Sequence, residues 1–98
     1  METWQGMTMQ TLDAPWRRWF EIPDKFTGLV VLTVEPNSEA EKLGVQRGDV
    51  LVNINNQYDL FSLDDLRKVK SNMEKENPFL LQTYRLVKKH WQPRRVQF

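Results

Sequence analysis

The sequence predicts one α+β domain, and three observations carry that prediction. Three runs rich in aliphatic and β-branched residues, 29–35, 50–54 and 79–87, have the length and composition of strands. One long segment, 62–76, carries its apolar residues at helical spacing. A length of 98 residues is enough for one buried core and short for two.

In chain order, the first strand is read in the alternating Met7-Thr8-Met9, with Gly6 ahead of it marking a sharp bend that presents successive N–H groups. Residues 13–20 read as a short helix: Asp13 stands at the cap, Pro15 in the first turn, and Trp16, Trp19 and Phe20 at helical spacing. Those three aromatics are expected to pack inward, leaving Arg17 and Arg18 in water. Pro23, Asp24 and Gly28 punctuate a loop before a largely buried strand that Pro36 and Asn37 end. Ser38 and Glu41 stand at capping-box spacing and Gly44 supplies a left-handed stop, which frames a helix of about two turns.

Gly48 and Asp49 then form a turn, and Val50, Val52 and Ile54 alternate as a half-buried strand. Asn55-Asn56 suits a tight hairpin leading to a short strand at 57–60, because Asn tolerates positive φ. The long helix has Ser62 and Asp65 as its cap, Leu66, Val69 and Met73 as its apolar face, and Asn77-Pro78 as its end. The strand 79–87 closes the domain. Residues 88–98 show no clear period and read as a loose basic tail holding Lys88, Lys89, His90, Arg94 and Arg95.

The charge balance is 14 basic against 13 acidic side chains, a net +1 that gives no global attraction for nucleic acid or anionic lipid. Lys88, Lys89, Arg94 and Arg95 with Trp91 as a stacking group support at most weak, salt-sensitive contact, so no specific nucleic acid is expected. No apolar run approaches the roughly 20 residues of a transmembrane segment. Cysteine is absent, which excludes disulfides, thiol chemistry and Cys-ligated zinc. The N-terminus lacks a leader pattern, consistent with a cytoplasmic protein or with a piece of a longer exported or anchored one.

Ser38, Ser62 and Ser71 read as caps or surface positions, and the lone His90 has no carboxylate near it in sequence. With no G-x-S-x-G, no H-E-x-x-H and no phosphate loop, the chain reads as non-catalytic, with no metal and no cofactor. Arg47-Gly48-Asp49 spells an adhesion tripeptide, but it falls in a turn and carries little weight.

The words "GLVVLTVEPNSEAEKLGVQRGDVLVNINNQ", residues 28–57, follow a pattern of apolar strand, E-P-x-S turn, short helix ending in Gly, G-D-V-L strand and N-N-Q hairpin. In this combination the chain resembles a PDZ domain of the kind found in bacterial HtrA-type, DegP-like serine proteases. The likeness runs from about Trp4 to about Val87. It implies an α+β, PDZ-like fold: a small, mostly antiparallel, partly closed sheet capped by two or three helices, with 1–87 as the domain and 88–98 as a tail.

The resemblance also implies a site. Trp4, Gln5, Gly6 and Met7 stand where such domains carry the loop that holds a peptide carboxylate, and Met7, Thr8 and Met9 where a strand edge receives the peptide. The opposite wall falls to the long helix through Leu63, Arg67 and Lys70, with Leu63, Trp4 and Met7 lining an apolar pocket. Met7 and Met9 suit a broad apolar preference, and Arg67 and Lys70 add a taste for acidic side chains.

The implied function is capture of C-terminal or extended peptides of protein clients by strand addition, as a substrate-recognition or regulatory module whose parent chain holds a protease domain. The implied setting is the bacterial periplasm or membrane-associated envelope. The alternative is a scaffold whose groove takes its own or a neighbour's tail, giving self-association through Val96 and Phe98. Gly6→Val is expected to weaken peptide binding without unfolding the domain.

Overall fold

The structure, a computed structural model, describes residues 1–73 and 78–98. Among the described residues, seven strands and three helices follow one another as β1 (Glu2–Trp4), β2 (Met7–Thr11), α1 (Ala14–Trp19), β3 (Leu29–Val34), α2 (Glu39–Lys42), β4 (Val50–Ile54), β5 (Tyr58–Asp59), α3 (Leu63–Met73), β6 (Leu80–Val87) and β7 (His90–Gln97). All pairings are antiparallel, in the order β1-β2-β3-β4-β6-β7, with β5 on β4. The sheet is open, its path ending at β1 and β7. The expected end of the long helix at Asn77 lies outside the described residues.

Both faces of the sheet are covered, which explains why residues 29–32 of β3 are all buried. Leu29 and Val31 join the main core with Met7, Met9, Leu51, Ile54 and the inner face of α3, Leu66, Val69 and Met73. Val30 and Leu32 point the other way, into a second cluster with Leu12, Ile22 and Val50, against which Trp16, Phe20, Phe26 and Trp91 pack. The simple alternation expected for β4 is broken by a register shift between Leu51 and Asn53, so Val50 and Ile54 lie on opposite faces.

Local signals fold as their chemistry dictates. Ser38 Oγ accepts the Glu41 N–H at 3.2 Å, while Glu41 Oε1 accepts the Asn37 N–H at 3.0 Å. Gly44 ends α2 at φ 88°, and Asn55 and Asn56 turn the β4–β5 hairpin at φ 59° and 57°. Asp65 Oδ2 accepts from the N–H groups of Phe61 and Ser62 at the start of α3. Asp13, by contrast, makes no side-chain cap bond.

Three expectations are corrected. The residues read as a loose tail form β7, paired with β6 along its whole length from Val87↔His90 to Leu80↔Gln97, with Lys88 and Lys89 as the left-handed turn. The domain therefore extends past 87; this strand escaped notice because its outward residues are polar and only Val96 is buried. Trp19 does not pack inward but is 69% exposed, since a six-residue helix offers one narrow inner stripe and Trp16 and Phe20 take it. Arg17 is not left to solvent: its Nη1 donates to the carbonyls of Pro23 and Phe26, at 2.7 and 2.8 Å, and staples the loop before β3.

Candidate functional site

Trp4, Gln5, Gly6 and Met7 form the turn of a β-hairpin. Gln5 and Gly6 occupy the two central positions at φ 55° and 85°, both left-handed as a type I′ turn demands, with Trp4 and Met7 paired across it. The turn is held from outside as well. The Glu35 N–H donates to the Gly6 carbonyl at 2.7 Å, and a Cβ at position 6 would run into the Ser38 side chain. Gly6→Val is therefore a test of folding rather than of carboxylate capture.

The free strand edge expected at Met7, Thr8 and Met9 is covered by the chain itself. β1 pairs with β2 in the register Glu2↔Met9, Thr3↔Thr8, Trp4↔Met7. The sequence hid this strand because three residues have too little period to read and a two-residue turn places them only once its φ angles are known. Met7 and Met9 are fully buried in the main core, so their side chains form the floor beneath β1.

α3 runs along the other side of β1. At its first turn, the Leu63 N–H donates to Thr11 Oγ1 at 3.0 Å, and the Leu63 side chain is buried. Further along, Lys70 Nζ lies 3.1 Å from Glu2 Oε2 and Arg67 Nε 3.7 Å from Glu2 Oε1, while Arg67 also meets Asp64 at 2.9 Å. The Lys70 hydrogen bond holds the Glu2 carboxyl below the usual carboxylate range, with partial desolvation opposing and Arg67 assisting. Beyond Lys70, Trp4 closes a hollow shared with Gln5 and Met73. Its ring stacks on Phe79 at 5.1 Å, and Phe79 stacks in turn on Phe98 at 4.8 Å. Helix and strand thus flank β1 with two cations and an aromatic pocket.

The other candidates are drawn into the fold. Val96 is buried in the main core and Phe98 packs against it, so the terminal residues read as a possible ligand are structural parts of this domain. In the adhesion-like tripeptide, Asp49 is buried and receives Arg85 Nε and Nη2, both at 2.7 Å, and the Gln46 N–H at 3.0 Å. Arg47 donates to the Leu32 carbonyl across the Phe20 ring. Trp91, read as a stacking group for bases, packs at 5.4 Å from Phe26. A hollow of about 610 Å³ on this far face, bordered by Phe26, Val52, Phe61, Tyr84 and Trp91, had no signal in the sequence.

Comparison with known proteins places this geometry. The PDZ domain family profile matches residues 30–81. The chain belongs to the PDZ domain family. Over 61 residues, this PDZ domain is 36% identical to the serine endoprotease DegS of Haemophilus influenzae, an alignment covering 62% of this chain and 18% of that protein. The chain thus spans less than a fifth of that relative's length. Among solved structures it superposes on the HtrA3 PDZ domain bound to a phage-derived ligand, FGRWV, with a TM-score of 0.65 and 25% identity over 96% of this chain and 86% of the other. The PDZ domain of EpsC from Vibrio cholerae shares the fold, with a TM-score of 0.60 and 21% identity over the full length of both. The chain therefore resembles the PDZ domains of HtrA-type proteases, and PDZ domains are in general non-catalytic interaction modules. Among the described residues, no helix is long and apolar enough to cross a membrane.

Proposed function

We propose that this PDZ domain receives extended peptide segments, C-terminal ones included, by strand addition to β2, in exchange with β1. In this reading it acts by binding alone, as a substrate-recognition or regulatory module of an HtrA-type protease in a bacterial periplasm or envelope compartment. Catalysis then belongs to another domain of the parent protein.

The observation that carries the reading is the seat of β1. An extended segment lies antiparallel to β2 with its inward side chains facing α3, which is the geometry of strand addition. Resemblance to the HtrA3 PDZ domain, whose structure holds a peptide ligand, supports the same use of the fold. The reading of the domain as a scaffold for its own tail has no matching observation, since Val96 already lies in the core.

The test is an NMR titration of the labelled domain with a degenerate C-terminal peptide library and its amidated counterpart. Shifts at Gly6 to Met9 and Leu63 to Lys70 are expected. Shifts with free carboxylates alone assign end capture, and shifts with both libraries assign internal strand addition. An unmoved spectrum with both, for domains whose β1 is loosened by Gln5→Pro and, with that loop unchanged, by Glu2→Lys, would refute peptide capture.

A further inference from the structure

β1 is a short peptide lying in the groove, and its side chains report what the groove accepts. With a strand period of two, Glu2 and Trp4 face α3, while Thr3 faces away and meets Thr8 Oγ1 at 3.2 Å. Each inward residue has a matched receptor. Glu2 sits against Lys70 and Arg67, cations from successive turns of α3. Trp4 is 9% exposed and lies over Met73 and the stacked Phe79. The main-chain bonds to β2 are open to any extended chain, so the two side chains are what distinguish one occupant from another.

Resting on the strand-addition reading above, we propose that β1 is a resident pseudo-ligand. The partner that displaces it carries the same pattern: a carboxylate side chain two residues ahead of an aromatic one. A basic residue at the first position is rejected, because it would meet Lys70 and Arg67. An aliphatic or small residue at the second position leaves the aromatic pocket part-filled. Because β1 is tethered, it competes at an effective concentration on the order of millimolar, and a free peptide must overcome that advantage.

The experiment uses the full chain and three synthetic peptides with free carboxylates, ending Glu-Thr-Trp, Lys-Thr-Trp and Glu-Thr-Ala. Gln5→Pro opens the hairpin and leaves the α3 wall, Arg67 and Lys70, in place, since proline cannot adopt the φ of 55° found at this position. Because Gln5 also borders the hollow beside Trp4, Glu2→Lys, which leaves that loop unchanged, serves as a second opened chain. The opened chain is expected to bind the Glu-Thr-Trp peptide at least about tenfold more tightly than the intact chain does. It should prefer that peptide over the Lys peptide by up to about fivefold, as a part-exposed ion pair allows. Lys70→Glu in the opened chain should reverse that preference.

Should Gln5→Pro fail to fold by circular dichroism, Glu2→Lys replaces it. That change reverses a side-chain charge on β1 against Lys70 and Arg67, and the same order of peptide preference is expected. Binding of all three peptides with equal affinity would overturn the template and leave strand addition standing. No binding by any peptide to a folded, opened chain would remove both. Equal affinity of intact and opened chains for Glu-Thr-Trp would show that β1 is not a competitor and would also overturn the proposal.

Discussion

Gly6→Ala tests how the turn between β1 and β2 is held. Position 6 has φ 85°, where an alanine is disfavoured by about 1 kcal/mol relative to glycine. The added Cβ would also overlap the Ser38 Cβ and Oγ. Ser38 caps α2, so moving it forfeits the bond to the Glu41 N–H and adds a further loss of about 1–2 kcal/mol. Together the single change should lower stability by about 2–3 kcal/mol. Ser38→Gly alone should cost a few tenths, because glycine is a tolerated N-cap.

The informative variant is the pair. With Ser38→Gly in place the new methyl group has room, and only the backbone penalty of about 1 kcal/mol and the small cap loss should remain. Urea unfolding of the four proteins gives the coupling directly, provided that the slope with denaturant is unchanged. A favourable coupling of about 1 kcal/mol or more is expected. Strict additivity would refute the argument that close packing on α2, beyond backbone conformation, demands a glycine here.

Asp49→Asn should cost about 3 kcal/mol in the same assay, because Arg85 keeps the Gly44 carbonyl and one amide oxygen but loses its counter-charge, and an NH2 donor replaces the second oxygen in a largely buried setting. A loss below about 1 kcal/mol would show the pair to behave as an exposed one. Trp19→Ser should change stability by less than about 0.5 kcal/mol, given its 69% exposure. The Glu2 carboxyl is held below its ordinary value of 4.5 by Lys70 and Arg67, with Asp64 sharing Arg67. Its contribution to β1 docking is therefore complete above pH 4.5 and fades as pH falls through the lowered value. Faster hydrogen exchange at Met7 and Met9 is expected in that acid range, and Glu2→Gln should remove the part of the pH dependence that belongs to this pair.

The elements legible in the sequence were those whose determinants are local. The Ser38–Glu41 cap, the Gly44 stop and the Asn55-Asn56 turn each depend on atoms within a few residues, and each appears where composition places it. The long apolar face of α3 is likewise written in its own spacing. β1, β7 and Trp19 were not legible for one shared reason. Each depends on which distant surface is free to receive it: the edge of β2 for Glu2 to Trp4, the edge of β6 for His90 to Gln97, and the crowding by Trp16 and Phe20 for Trp19.

The same division runs through the site. Residue types and order were sufficient to point to the PDZ fold, and the family match agrees. Arg67 and Lys70 share a helical face by their spacing, which the sequence alone determines. That this face meets Glu2, and that Trp4 stacks on Phe79, are decisions of the tertiary structure. A strand of three residues has almost no conformational preference of its own, so its position is set by the edge that needs main-chain partners and the side chains that await it.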